Sequence, residues 1–159
     1  MEEIAYHESG HAFAAAYLGA RVHSISIEPD RNDLPDREGE ATYSFRRGQY
    51  TQQQVAQNIM FVALAGPVAE MIYRQEPLHP AFVPEWAYDW QQAMDAAAAI
   101  QPDERKRLTV LEMLVRKMHE LFRLDQHWAA IAAVADNLLA HETLDEDQLS
   151  EIFAAWLRR

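Results

Sequence analysis

Two imidazoles and a carboxylate stand close together near the start of the chain, in His7-Glu8-Ser9-Gly10-His11, the pattern HExxH. Four residues of α-helix turn the chain through roughly 400°, so His7 and His11 project from nearly one face and can share one cation. Glu8 directly follows the first of them. Its carboxylate can reach a water beside the cation without itself ligating, which is where a general base belongs. Zinc would lower the pKa of that water to about 7, and Glu8 would take the proton as hydroxide attacks a peptide carbonyl. The flanking residues favour a metal over a chance match. Ile4, Ala5, Ala12, Phe13, Ala14, Ala15, Ala16, Tyr17 and Leu18 make this helix apolar nearly all round, so the motif is expected in a buried helix. Buried imidazoles and carboxylates are costly without partners, and a cation satisfies all three.

A catalytic zinc takes three protein ligands and keeps a fourth position for water, so HExxH needs one more ligand. The chain has no cysteine, which leaves His, Asp and Glu and excludes disulfides. A metzincin would continue with a Gly and a third His, whereas Phe13, Ala14 and Tyr17 follow His11 here. Glu70, Asp89 and Asp95 are the carboxylates on helical faces that remain open as third ligand. Asp89 with Gln92 also imitates a capping box. His23 reads as a surface or packing residue, because nothing else metal-binding recurs near it.

The elements that must position these groups follow from periodicity and punctuation. The first helix should run from about Glu2 to Leu18 and stop at Gly19. Two β runs, Val22 to Ile27 and Ala41 to Phe45, flank a polar loop with Pro29, Asp30, Asn32, Asp33, Pro35 and Gly39, and predict a small antiparallel hairpin or sheet. Val55, Ile59, Val62, Ala63, Ala69 and Ile72 predict a long helix from Thr51 to about Tyr73, strained or interrupted near Gly66-Pro67. The stretch from Gln75 to Glu85, with Pro77, Pro80 and Pro84, reads as an ordered loop over the site. A helix should start near Pro84 and reach about Pro102; three more should cover Asp103 to Phe122, Asp125 to Leu139, and Asp145 to Leu157. The fold class expected is mainly α with a small antiparallel β hairpin or sheet, a zincin-like helical arrangement in one domain over residues 1–159.

The 159 residues are 49% hydrophobic, enough for one globular core. A net charge of −11 disfavours nucleic acid as a partner, since phosphate binding needs clustered Lys and Arg and acids outnumber bases here by 25 to 14. Arg46-Arg47, Arg105-Lys106-Arg107 and Arg158-Arg159 read as solvated or helix-end charges. No run approaches 18 uninterrupted apolar residues, and the first residues carry two glutamates, so no membrane span or export signal is expected and a cytoplasmic location is.

The chain resembles the FtsH-type zinc metallopeptidases, in their protease domain only. Ala5-Tyr6-His7-Glu8-Ser9-Gly10-His11-Ala12 is similar to that family's opening helix, and Arg21-Val22-His23-Ser24-Ile25-Ser26-Ile27 to its following strand. Ala65-Gly66-Pro67-Val68-Ala69-Glu70-Met71-Ile72 resembles its Gly-rich, Ala-Glu helix, and Tyr88-Asp89-Trp90-Gln91-Gln92-Ala93 its aspartate motif. Ala135 to Leu139 with Glu142 to Asp145 is similar to its C-terminal helical segment. The resemblance implies that His7, His11 and Asp89 ligate Zn2+, that Glu8 is the general base, and that Glu70 orients a ligand histidine through its second ring nitrogen. Trp86, Ala87 and Tyr88 replace the small residues usual before the aspartate, and Pro67 also departs from the family. No glycine-rich phosphate loop occurs, so the expected activity is ATP-independent endopeptidase cleavage of flexible or unfolded polypeptides. An edge strand at Val22 to Ile27 would bind the substrate by strand addition. A homo-oligomer or a separate ATPase partner is implied by the family. The alternative is a catalytically silent zinc-binding interaction or regulatory module, with the Trp86–Tyr88 loop closing the cleft.

Overall fold

Alanine, glycine and aromatic residues decide how closely the first two long helices approach. In the computed structural model, which describes residues 1–28 and 39–157, α1 spans Glu2–Tyr17 and α2 spans Gln52–Arg74. A methyl group at Gly10 would lie 2.4 Å from the Ala65 carbonyl oxygen and 2.6 Å from the Ala69 Cβ, so only glycine lets the backbones meet there. This pair forms the largest helix contact of the fold, and α2 is its central helix, with Ala63 to Met71 buried throughout. Length and composition alone would let α2 cross a membrane, yet 67% of its apolar window is buried inside the protein, as in a core helix.

Around this pair the remaining helices pack in chain order: α3 (Ala87–Ala98) and α4 (Glu104–Phe122) on α2, α5 (Asp125–His141) on α1, and α6 (Glu146–Trp156) on α5. Phe13, Phe122, Leu111, Met118, Ile131 and Leu138 fill the space between them. Burying each such side chain contributes about 1.5–3 kcal/mol. Asp103 caps α4, and capping boxes start α2 at Thr51 with Gln54 and α6 at Asp145 with Gln148.

Gly19, at φ 90°, turns the chain from α1 into β1 (Arg21–Ser26), which pairs antiparallel with β2 (Glu40–Ser44). The Pro29-to-Pro35 part of the expected polar loop lies outside the described residues. A third strand, β3 (Thr143–Asp145), pairs with the other side of β1 and gives the order β2-β1-β3. Sequence periodicity had no means of announcing three residues between two helices. The mainly α class with a small antiparallel sheet holds.

Three local expectations change. α2 runs unbroken through Pro67, because the missing N–H costs one ladder bond while packing on both flanks holds the helix together. Pro84 starts a short 3-10 turn, Pro84–Trp86, and α3 proper begins at Ala87 and ends at Ala98 rather than near Pro102. β1 is the central strand, paired with β2 and over Ser24–Ser26 with β3, rather than an edge strand; among the described residues β2 is the edge strand on the side of the site.

Candidate metal centre

α1 presents His7 and His11 toward α2, and α2 grips both rings by the same atom. His7 Nδ1 lies 3.2 Å from Glu70 Oε1, and His11 Nδ1 lies 2.7 Å from the Val62 carbonyl oxygen. Carboxylates and carbonyls only accept, so both Nδ1 atoms carry the proton that is donated. In a neutral ring this leaves the Nε2 lone pair exposed, the form that binds a metal. The two Nε2 atoms stand 3.1 Å apart.

Asp89 joins them from the first turn of α3. Its Oδ2 is 2.8 Å from His7 Nε2 and its Oδ1 is 3.4 Å from His11 Nε2. His7 and Asp89 lie 82 residues apart in the chain. With ligand bonds of about 2.0–2.1 Å, neighbouring corners of a tetrahedral site stand about 3.3 Å apart. The two Nε2 atoms, 3.1 Å apart, have that spacing, and Asp89 meets them with a different oxygen each; taking one atom from each residue, the three lie within 4.8 Å of one another, close enough to share one cation. Asp89 makes no helix cap; the α3 N-cap is Trp86. Asp95 pairs with Gln91 on an exposed face and stays outside the cluster. Glu70 also stays outside it, behind His7 rather than beside the other two ligand atoms.

Room for the ion is built into α2. A methyl group at Gly66 would lie 2.3 Å from His11 Nε2 and 2.7 Å from His7 Nε2, close to a metal–nitrogen bond length. Glycine at this position keeps the space beside both Nε2 atoms clear. The donor set, two imidazoles and a carboxylate, is one that zinc accepts.

The charges at the site are strongly coupled. Burial disfavours a charged His7, but hydrogen bonds to Asp89 and Glu70 outweigh it and push its pKa up to about 10. His11 behaves likewise: burial lowers it, while the Asp89 charge and hydrogen bond raise it further. Burial would raise the Asp89 carboxyl, yet the two histidines hold it far below the ordinary range. Without a cation the protein neutralises Asp89 with protons on the imidazoles; a divalent ion would replace those protons at the same atoms.

A cleft of about 1010 Å³ opens over this cluster, with His7, Glu8, His11 and Asp89 in its lining. Gly39, Ala41 and Tyr43, alternate residues along the β2 edge, form one wall. Glu8 is 7% exposed and sits against Gly39, where a Cβ would approach its Cγ to 2.8 Å. The Tyr43 hydroxyl has no hydrogen-bond partner among the described residues, and burial with the Asp89 and Tyr88 charges pushes its pKa up. It therefore remains an O–H donor at neutral pH. Tyr88 is 57% exposed on the opposite rim. Trp86 does not close the mouth: its side chain is fully buried beneath the site. His23 lies on the sheet, bonded to Ser44 Oγ.

The motif signals His7, Glu8 and His11 directly. Gly66, Gly39 and Tyr43 carry no such signal, and only the Gly next to a helical Pro drew attention to position 66. No model of a known protein family matches the chain, and no curated protein matches its sequence.

Proposed function

We propose that the chain is a zinc-dependent endopeptidase acting on flexible or unfolded polypeptide segments. The observation that carries this reading is a buried carboxylate, Glu8, lining one open cleft with the His7–His11–Asp89 group and the β2 strand. The distributed resemblance to FtsH-type peptidases supports the same reading. His7, His11 and Asp89 would hold a divalent cation, which when bound would supply Lewis acidity towards a carbonyl oxygen and a water.

The chain's own residues do the rest. The outer edge of β2 accepts an extended substrate backbone as an added strand, which selects for unfolded segments and gives weak sequence preference. Glu8 takes a proton from the attacking water and returns it to the leaving amine nitrogen as the scissile C–N bond breaks. Tyr43 donates a hydrogen bond to the oxyanion that forms at the former carbonyl. Glu70 and the Val62 carbonyl hold both ligand rings in the tautomer that leaves Nε2 free.

Glu8→Gln tests the assignment, because it keeps the shape of the side chain and removes the base. Zinc affinity should stay near that of the unmodified protein, while casein cleavage falls at least ~100-fold. Undiminished turnover rejects Glu8 as base. An unmodified protein that binds zinc and cleaves no unfolded polypeptide would instead make the centre part of an interaction module.

A further inference from the structure

Trp86 is the largest fully buried side chain of the fold and the N-cap residue of α3, three positions before Asp89. Its indole Nε1–H donates to Glu70 Oε1 at 3.1 Å. That same oxygen accepts from His7 Nδ1, while Arg74 Nη1 holds Oε2 at 3.0 Å. One carboxylate oxygen on α2 thus joins the ring of a candidate ligand on α1 to the residue that launches the helix bearing another.

The start of α3 is held by the preceding turn, where Ala87 N–H donates to the Pro84 carbonyl, and by Trp90 against His79, but, among the described residues, by no contact to the two histidines other than Asp89 and this link. No side chain caps it, and Asp89 itself hydrogen-bonds only to the two histidines among the described residues. The placement of Asp89 therefore depends on how α3 is docked against α2. A buried indole does require a partner for its N–H, and core filling alone would be met by any acceptor. The acceptor used is the one oxygen that also orients His7.

We infer that Trp86 is a positioning residue, whose indole N–H, acting through Glu70, sets the distance between the Asp89 carboxylate and the His7–His11 pair. The inference rests on the metal centre proposed above.

The experiment uses the intact chain with cobalt(II) as the probe, read by its visible absorption spectrum and by competition with a chelator. Trp86→Phe removes the N–H and keeps an aromatic ring. Cobalt affinity should fall about 10- to 100-fold, as for loss of other groups behind metal ligands, and the absorption band should shift as the ligand set distorts. In a Glu70→Ala background the same change should cost less than about twofold, because the linking oxygen is already gone. Phe122→Leu, a core change away from the centre, should lower the melting temperature and leave the spectrum unchanged. Where Trp86→Phe fails to fold, benzothienylalanine at position 86 keeps the ring shape without the N–H and must give the same spectral shift. A Trp86 variant with unaltered affinity and spectrum overturns the inference and leaves the metal centre standing; so does a cost that is equal with and without Glu70. An unmodified protein that binds no cobalt overturns both.

Discussion

Gly66→Ala places one methyl group against the candidate metal centre. The added Cβ would lie 2.3 Å from His11 Nε2 and 2.7 Å from both His11 Cε1 and His7 Nε2. Non-bonded carbon contacts settle near about 3.5 Å, so something must retreat by roughly 1 Å. The rings cannot do so freely, because Glu70 and the Val62 carbonyl hold them at 3.2 and 2.7 Å through Nδ1. Retreat of α2 as a unit would open its packing on α1, where Ala65 and Ala69 meet Gly10 and belong to the buried core. Helix propensity works in the opposite direction: alanine is favoured over glycine in a helix interior by about 1 kcal/mol. The metal-free protein should therefore lose about 1–3 kcal/mol to overpacking, less what helix propensity returns, and the ligand arrangement is spoiled. Zinc affinity should drop at least ~100-fold, about 2.7 kcal/mol by affinity arithmetic. Competition against a chromogenic chelator measures that directly. In thermal melts at saturating zinc the unmodified protein should gain stability, about 4 kcal/mol at a thousandfold excess over Kd, and the variant far less. Normal zinc affinity in a folded Gly66→Ala protein would refute the placement of the ion at the convergence of the Nε2 atoms.

Gly39→Ala is the companion substitution on the other side of the cleft: its Cβ would approach Glu8 Oε1 to 3.0 Å, so peptidase turnover should fall about tenfold or more while zinc affinity stays within twofold. Tyr43→Phe should lower kcat by roughly 10- to 100-fold with little change in KM, and a raised KM with kcat unchanged would assign the phenol to substrate binding instead. Metal binding must displace protons from imidazoles whose pKa values are raised, His7 to about 10, so apparent zinc affinity should weaken about tenfold for each unit that pH falls below about 10, and more steeply where His11 is protonated as well. Proton release on zinc addition in weakly buffered solution checks the sign. For the metal-free chain, a His7 pKa raised from 6.5 to about 10 contributes stability that is complete below 6.5 and is lost as pH rises through 10. Its melting temperature should accordingly fall between pH 7 and pH 10, and zinc should flatten that dependence.

Local spacing determined the part of the site that one helix can hold. His7, Glu8 and His11 lie within five residues, and helical periodicity fixes their relation whatever surrounds them. The long helices were legible for the same reason, and their caps at Thr51, Asp103 and Asp145 are read from neighbouring residues. Residue types left Glu70, Asp89 and Asp95 as rival third ligands, and only the family resemblance favoured Asp89. Packing sets where each of them lies: α2 turns Glu70 onto the far nitrogen of His7, α3 brings Asp89 beside the near one, and Asp95 faces solvent. The edge role of β2 was equally hidden, because it depends on β3 arriving from residues 143–145 to cover the other side of β1. Gly66 and Gly39 have no meaning in the sequence until the rings and the carboxylate that press on them are in place. Periodicity acts over a few residues, whereas the meeting of residues 82 positions apart is set by which helix faces can approach without a side chain between them.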